Sequence, residues 1–342
     1  MITFKEILDK DAWVTATSSF DVPLPQSFAY SDIQKKIGRE VKRFDILNND
    51  ISIGFAVLVS YPLFGKLKYW YIPYGPVLSN YSDSIIKGVK ESLIDFIKTN
   101  GGVFVRLDFG ISESGYDQSF LAKYFTKSNT SSYSGAYFQP RAEWYTDISK
   151  SPEDILTAMH SKTRYSVRYA QKKGVTTEIV KTNLKEKLTD FLNLMKLTAK
   201  RNGFALHGDK YYECYFEEVE RTGRGFVIEA RLDGTVLASH LVFVVGDTAH
   251  YVFGATSDSH KDLCAPYLAH FNAMLYSKEL GATCYNFGAI STSNIDKSWQ
   301  GLTVFKQKFG GYTVTHSPFY DLVINPFWYY IYIVRKIVKK YI

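Results

Sequence analysis

Residues 227–245 read VIEARLDGTVLASHLVFVV, two runs rich in apolar and β-branched side chains on either side of Asp233-Gly234. An Asp-Gly pair between two such runs is a strong signal for the tight turn of a β-hairpin. Three more predicted elements follow, a strand, a helix and a strand: residues 250–253, residues 264–278 and residues 283–285. A hairpin continued in this way predicts a mixed sheet with helices on its faces.

The same series of elements occurs earlier in the chain. A predicted hairpin turns at Asn48-Asn49-Asp50, and the later elements again follow it: residues 69–72, residues 84–98 and residues 103–107. Each copy ends on a Phe-Gly pair, in Asp108-Phe109-Gly110 and in Asn286-Phe287-Gly288. We therefore predict an internal duplication. A length of 342 residues suits two domains, which we place at residues 1–145, completed by residues 318–342, and at residues 146–317.

The composition is that of an ordinary globular protein with many aromatic residues. Hydrophobic residues make up 46%, charged residues 22% and aromatic residues 16% of the chain, and the net charge is +7. Three cysteines in apolar stretches predict a reducing compartment without a disulfide framework. The N-terminus lacks the layout of a signal peptide, and no apolar run reaches the length of a membrane span. These features favour a cytoplasmic protein.

Residues 299–311, WQGLTVFKQKFGG, predict a short helix that is stopped by two glycines. Leu302, Phe305 and Phe309 are spaced to share one face of this helix. Lys306 falls in its last turn, beside that apolar face. Two interpretations fit: the lysine complements the negative end of the helix, or it serves a site in the duplicated chain.

A second notable stretch, residues 151–175, predicts a basic helix between the two copies. From residue 155 to residue 177 the chain carries five basic residues and no acidic one: Lys162, Arg164, Arg168, Lys172 and Lys173. Three of them are spaced four residues apart and form one stripe. Either this is an ordinary exposed helix, or it is a surface that binds polyphosphate or nucleic acid.

The C-terminal stretch combines an apolar run, residues 326–334, with Arg335, Lys336, Lys339 and Lys340. Packing back on the first domain as a terminal helix is one interpretation. Peripheral contact with an anionic membrane surface is the other.

Several familiar catalytic patterns are missing from the sequence. It has no G-x-S-x-G elbow, no phosphate-binding P-loop, no H-E-x-x-H pair, no prominent carboxylate pair and no histidine–cysteine group at metal spacing. We expect neither a metal nor a cofactor. The remaining lysine, arginine and tyrosine side chains suit a transferase that orients two substrates and stabilises developing negative charge.

Over almost its whole length the chain resembles the Fem-type (FemABX) peptidoglycan-bridge aminoacyltransferases. The resemblance rests on six stretches: QSFAYSDIQKKIGREVKRF, QPRAEWYTDI, MHSKTRYSVRYAQKKGV, RNGF, YVFGATSDSHKDLCAPYLAHFNAM and GLTVFKQKFGG. It implies a mixed α/β fold of two tandem acetyltransferase-like (GNAT) domains. The coiled-coil arm that some members insert has no counterpart, because no long heptad segment is present.

The resemblance also implies a function and partners. The family transfers an amino acid from aminoacyl-tRNA to the stem peptide of a peptidoglycan precursor, which is UDP-linked or lipid-linked. Lys306 would then bind the tRNA end or the oxyanion formed at the ester carbonyl. Lys36 and Arg201 would grip the diphosphate of the precursor, and Phe305, Tyr285 and Trp299 would complete the substrate site. The five basic residues of the predicted helix would bind the tRNA.

Two departures from the family pattern affect the expected chemistry. Tyr251 is followed by Phe253, which leaves Tyr251 as the only phenol of that pair, and Asn286 stands where relatives carry an acid. No carboxylate base can be placed at Asn286, so Asp108 of the first copy is the remaining candidate. Two rival functions stay open, an acyl-CoA-dependent N-acyltransferase and a non-catalytic module that binds precursor or nucleic acid.

Overall fold

The computed structural model describes residues 1–109, 118–128, 139–291 and 297–341. The chain divides into two compact units, Met1–Arg141 with Thr315–Ile342, and Ala142–Val314. Each unit is built on one mixed sheet, so the predicted mixed α/β class is confirmed. Gly110, one of the sequence landmarks, lies outside the described residues.

The first unit contributes seven strands and three α-helices before residue 142, within its described part. The strands are β1 (Ile2–Glu6), β2 (Val41–Asn48), β3 (Ile51–Pro62), β4 (Lys68–Ile72), β5 (Val77–Leu78), β6 (Phe104–Leu107) and β7 (Thr126–Lys127). The helices are α1 (Lys10–Thr17), α2 (Phe28–Lys36) and α3 (Asp83–Asn100). The apolar spacing of α3 buries Ile86, Val89, Leu93 and Ile97.

The second unit follows directly. Its strands are β8 (Ala142–Asp147), β9 (Thr176–Val180), β10 (Gly225–Leu232), β11 (Thr235–Val245), β12 (Thr248–Thr256), β13 (Cys284–Ala289) and β14 (Tyr312–Thr315). Its helices are α4 (Pro152–Ala158), α5 (Ser161–Lys172), α6 (Leu184–Asn202), α7 (Asp209–Thr222), α8 (Ala265–Glu279) and α9 (Lys297–Gln307). Because β8 pairs with β13, residues 142–145 belong with this sheet.

The chain then returns to the first unit with β15 (Tyr320–Val323) and α10 (Pro326–Tyr341). β15 inserts between β6 and β7, and the first sheet has the order β1-β2-β3-β4-β6-β15-β7, with β5 on β3. A buried ion pair joins the returning strand to its neighbour: Arg106 of β6 donates twice to Asp321 of β15, each time at 2.7 Å. The last residues are therefore part of the first core.

The two sheets repeat one another strand by strand. The second has the order β14-β8-β13-β12-β11-β10-β9, so β10–β13 take the places of β2, β3, β4 and β6. In both copies the third and fourth of these strands pair in parallel. Both hairpins also carry a bulge at the third residue after the turn, Ile53 in one and Leu237 in the other. A shared irregularity at the same position supports the duplication.

In the described part of the chain, the longest helix is α6, with 19 residues. It packs against α7 within the second unit, and no described helix extends out as a coiled-coil arm.

Candidate active site

The parallel strands β12 and β13 part in the middle of the second sheet. Among the described residues they pair over three positions, and the last pair is His250 with Asn286. β12 then continues beside β11 to Thr256, and β13 continues beside β8 to Ala289. Two parallel strands that diverge leave an opening in the sheet, which other groups can enter.

Lys306, from α9, lies in this opening. Its Nζ donates a hydrogen bond of 2.6 Å to the carbonyl oxygen of Ala289, and the residue is only 4% exposed. A Cβ at position 288 would lie 3.9 Å from this Nζ and 3.8 Å from the carbonyl oxygen of Tyr251. The amine is therefore placed next to the main chain of both strands.

The buried side of α9 is partly polar. Leu302 is 42% exposed, whereas Thr303 and Lys306 are buried. Thr303 Oγ1 accepts a hydrogen bond from the amide of Ser291 at 2.9 Å, and Lys306 donates to Ala289. These two polar anchors, three residues apart, turn their side of the helix inward and leave Leu302 exposed. Phe309 is buried as expected.

Burial sets the charge state of Lys306. It lowers the pKa of the amine to about 7, although the carboxylate of Glu143 opposes the shift. Glu143 is itself buried and stands opposite Ala289 in the β8–β13 register. A lysine with a pKa near neutrality can change charge during a reaction, and strongly shifted pKa values concentrate at functional sites.

The side chain of Asn286 fixes the main chain that holds Lys306. Its Oδ1 accepts a hydrogen bond of 2.6 Å from the amide of Gly288. Its Nδ2 donates to the phenol oxygen of Tyr145 at 3.0 Å and lies 3.3 Å from Nδ1 of His250. Gly288 has a φ of 74°, a conformation that favours glycine. Asn286 thus shapes the turn that leads into Ala289.

Tyr251 belongs to a buried cluster of aromatic rings behind the opening. Its ring lies 4.6 Å from that of His270 and 5.1 Å from that of His240. Burial raises the pKa of the Tyr251 phenol and lowers the pKa of His240 to about 3. At neutral pH the phenol is protonated and this imidazole is uncharged. Gly254 makes space for the phenol, because a Cβ there would lie 1.7 Å from its oxygen.

The three aromatic residues predicted to bind substrate differ in their burial and in their neighbours. Tyr285 is fully buried, and its phenol oxygen lies 3.2 Å from Nδ1 of His270, so it supports the cluster from inside. Phe305 is half-buried with its ring 5.6 Å from that of His270. Trp299 is half-buried in the first half of α9.

Asp108, the candidate base, lies in the first unit. It directly follows β6 and is buried. Its Oδ2 accepts a hydrogen bond from the Tyr71 phenol at 2.6 Å, and its Oδ1 accepts one from the amide of Tyr74. The two carboxylate oxygens therefore hold β4 and the chain that directly follows it. Burial raises the pKa of Asp108 well above its usual value.

The two residues expected to bind diphosphate also lie in different units. Lys36 is exposed at the end of α2 in the first unit. Arg201, near the end of α6 in the second unit, donates to Asp258 Oδ1 at 2.6 Å and to the Thr256 hydroxyl at 2.5 Å. Its guanidinium is thus held against the end of β12.

Helix α5 and its C-cap residue Lys173 carry the predicted RNA-binding residues. Lys162, Arg168, Lys172 and Lys173 are exposed, whereas Thr163, Val167 and Ala170 form the buried side of the helix. Arg164 is half-buried and donates from Nη1 to the carbonyl oxygen of Thr157 at 3.0 Å, so it also caps the end of α4. Tyr165 and Tyr169 stack at 5.6 Å. The exposed cations form a positively charged surface, because α5 itself contains no acidic residue.

Sequence reasoning missed Glu143, Tyr145, His240, His250 and His270. The first two lie in the stretch 139–148, which carried part of the family resemblance, and the alternation of β8 turns them to one face of the sheet. No sequence motif marked the three histidines as site residues. They come from three elements that only the tertiary fold brings together.

In the described ranges, no group of three or more histidine, cysteine or acidic side chains is arranged to hold a metal ion. Likewise, none of the described helices combines the length and the apolar character needed to cross a bilayer.

The chain also matches a protein-family model and several known proteins. The model of the FemAB family matches residues 9–223 and 218–336. The lipid II:glycine glycyltransferase of Staphylococcus aureus (strain MRSA252) is 23% identical over 390 aligned positions, which cover 93% of this chain and 91% of that protein.

Solved structures show the same fold. The crystal structure of FemX superposes with a TM-score of 0.83 at 19% identity, over 96% of this chain and 100% of that one. A tandem GNAT protein from the clavulanic acid biosynthesis pathway has a TM-score of 0.54 at 10% identity, over 94% and 98% of the two chains. The predicted pair of GNAT-like domains is thereby confirmed. Since the family model spans most of the sequence, the chain belongs to the FemAB family.

Proposed function

We propose that this protein is an aminoacyltransferase that moves an amino acid from aminoacyl-tRNA to the stem peptide of a peptidoglycan precursor, as in the formation of interpeptide bridges. The observation that carries the proposal is the position of Lys306, a buried amine in the opening between β12 and β13. Membership of the FemAB family supports it. The name of the staphylococcal relatives, lipid II:glycine glycyltransferase, supports a lipid-linked acceptor.

The proposed reaction is an exchange of an ester for an amide. The acceptor amine attacks the ester carbonyl of the aminoacyl-tRNA, a C–N bond forms, and the bond from the carbonyl carbon to the ribose oxygen breaks. The amine loses a proton and the departing ribose oxygen gains one. Atoms and charges balance without a metal or a cofactor, and the protein supplies position and electrostatic stabilisation.

Lys306 acts in this scheme as an ammonium ion that stabilises the oxyanion of the tetrahedral intermediate. Its surroundings suit that role, because a charge held in a water-poor site interacts more strongly than one in solvent. Ala289 fixes the direction of the amine, and Glu143 favours its charged form. Tyr251 packs behind the opening with a protonated phenol and is a positioning residue. We assign Asp108 a structural role.

The remaining predicted residues bind the substrates in this proposal. The exposed cations of α5, Lys162, Arg168, Lys172 and Lys173, attract the tRNA. Arg201 binds the diphosphate of the precursor and exchanges its contact with Asp258 for a phosphate oxygen. Phe305 and Trp299 line the substrate site from α9.

The test incubates the purified protein with a pool of charged tRNA and either lipid II or the UDP-linked precursor, and then weighs the products by mass spectrometry. We expect an aminoacylated precursor, with lipid II as the better acceptor. Lys306→Met should lower the initial rate by about 10²–10³-fold, the usual cost of losing one oxyanion donor. Lys308→Met, which removes a half-buried lysine two residues further on, is the matched control and should stay near the wild-type rate.

Two results would overturn the proposal. One is the absence of any aminoacylated product with both precursors. The other is acyl transfer from acetyl-CoA in a parallel reaction without tRNA, which would assign the protein to the acyl-CoA-dependent transferases. A Lys306→Met variant with full activity would leave the reaction standing but reject the role of this residue.

A further inference from the structure

Helix α10 (Pro326–Tyr341) is fixed to the first unit by its inner side. The ring of Tyr332 lies 5.1 Å from that of Phe104, and its phenol oxygen accepts a hydrogen bond from Arg106 at 3.2 Å. The Tyr329 phenol donates to Asp321 Oδ2 at 2.7 Å. Aromatic packing and hydrogen bonds to a buried ion pair therefore hold the helix in one orientation.

The outer side of the same helix is also apolar, and it faces solvent. Phe327 is 67% exposed, Tyr330 69%, Val334 40% and Val338 47%. Their spacing of three, four and four residues places them on one side of the helix. We call these four residues the outer strip. A row of exposed apolar side chains on a firmly anchored helix marks an interaction surface.

The charge of this segment indicates the chemistry of its partner. Residues 326–342 contain four basic residues and no acidic one: Arg335, Lys336, Lys339 and Lys340. Arg335 is exposed, with its guanidinium 5.3 Å from the ring of Phe64. Lys336 turns inward, with its Nζ 5.2 Å from the centre of the Tyr332 ring, so Arg335 is the basic side chain that the described part of α10 exposes. Apolar side chains on one face of a helix, accompanied by lysine and arginine without acids, are typical of helices that lie in the headgroup region of an anionic membrane.

We propose that the outer strip of α10 docks on the surface of a membrane that contains anionic phospholipids. The helix lies along the surface, its four apolar side chains enter the boundary between headgroups and acyl chains, and Arg335 contacts a lipid phosphate. The inner side keeps its contacts with the first unit. Membrane binding of this kind goes beyond the transfer reaction and does not depend on it.

The experiment measures co-sedimentation of the full-length protein with two kinds of vesicle, phosphatidylcholine alone and phosphatidylcholine with phosphatidylglycerol. Neither contains precursor or tRNA, so the result is independent of the proposed activity. We expect binding to the anionic vesicles, at least about tenfold weaker binding to the neutral ones, and a decrease with added salt. Equal binding to both vesicles, or to neither, would overturn the proposal.

A pair of matched triple variants then tests the surface itself. Phe327→Ser, Tyr330→Ser and Val334→Ser together remove three residues of the outer strip and should weaken binding at least tenfold. The control combines Leu8→Ser, Val14→Ser and Ile51→Ser, three other exposed apolar residues of the first unit, and should bind like the wild type. Circular dichroism checks that both variants are folded.

Self-association is the competing use of such a strip. If light scattering of the wild type without vesicles shows a dimer that the outer-strip variant converts to a monomer, while vesicle binding is unchanged, the strip is an interface between two copies and the membrane proposal is wrong. Unaltered vesicle binding by a folded, monomeric outer-strip variant would reject the proposal as well.

Discussion

Asn286 Oδ1 accepts a hydrogen bond of 2.6 Å from the amide of Gly288, and the next residue along the chain, Ala289, accepts the hydrogen bond of Lys306. One side chain therefore shapes the turn on which the buried amine depends. The amide of Asn286 adds a donor, which it uses on the phenol oxygen of Tyr145 at 3.0 Å.

Asn286→Ala should slow transfer by about tenfold to a hundredfold, because a small displacement of a catalytic group is enough for such a loss. The Gly288 turn loses its side-chain acceptor, and Ala289 no longer holds the amine in one direction. The measurement is the single-turnover rate as a function of pH. A positioning role predicts that the inflection due to Lys306 moves away from pH 7, a shift that lost stability alone would not cause.

Tyr145→Phe is the control for this variant. It removes the phenol oxygen that Asn286 contacts but leaves the bond between Asn286 and Gly288 in place. We expect a smaller loss of rate and an inflection close to that of the wild type. If the two variants behaved alike, the turn at Gly288 would not be what Asn286 controls.

The pH dependence of the wild-type rate follows from two opposite requirements. The acceptor amine must be neutral to attack, so this requirement raises the rate with increasing pH. Lys306 must be charged, and because burial holds its pKa at about 7, its charged fraction falls above that pH. The rate should rise to about pH 7 and level off above it.

Lys306→Met removes the second requirement, so its much lower rate should keep rising over the whole range from about pH 6 to 8.5. Rapid-quench measurements on preformed complexes would resolve both curves. A wild-type rate that keeps rising steeply above pH 7 would mean that Lys306 does not act in its charged form, for instance because the neutral amine takes a proton.

The local patterns of the sequence account for most of the fold. Asp233-Gly234 and Asn49-Asp50 both adopt the positive φ angles of tight hairpin turns, and each turn is flanked by the predicted strands. These features depend on residues that are neighbours in the chain, so they can be predicted from the sequence. The helix of residues 299–311 was placed correctly for the same reason, with α9 at Lys297–Gln307.

Long-range contacts account for what was missed. Leu302 has the apolar spacing of an inward-facing helix residue. However, Thr303 and Lys306 form hydrogen bonds with the main chain of residues 289–291, and these bonds turn their side of α9 inward. Glu143 opposes Ala289 only because of the strand register. Neither the register nor the burial that lowers the pKa of Lys306 can be read from the residues next to it.

The ion pair between Arg106 and Asp321 predicts a stability effect in the first unit. Both side chains are fully buried, and two parallel hydrogen bonds of 2.7 Å join them. Asp321→Asn should lower the free energy of unfolding by about 3–5 kcal/mol, because it leaves the guanidinium charge buried without its counter-ion. Urea denaturation followed by circular dichroism provides the value.

Asp95→Asn serves as the comparison for this substitution. It breaks the pair between Lys98 and Asp95, whose side chains are 69% and 74% exposed, and should change the free energy of unfolding by less than about 1 kcal/mol. Similar effects of the two substitutions would show that the buried pair does not hold β15 in the first sheet.

The proposed contact of the exposed α5 cations with tRNA predicts how binding depends on salt. Arg168, Lys172 and Lys173 should each release about one counter-ion when they contact phosphate, so the triple replacement by glutamine should reduce the slope of log affinity against log salt by about 2–3.

Replacing Lys98, Lys123 and Lys210 by glutamine removes the same charge from other exposed positions. Because these three lie elsewhere on the chain, the slope should change by less than about 1. Fluorescence anisotropy with labelled tRNA measures both slopes. Equal reductions would mean that the net charge attracts the RNA, and no reduction in either would remove α5 from the binding surface.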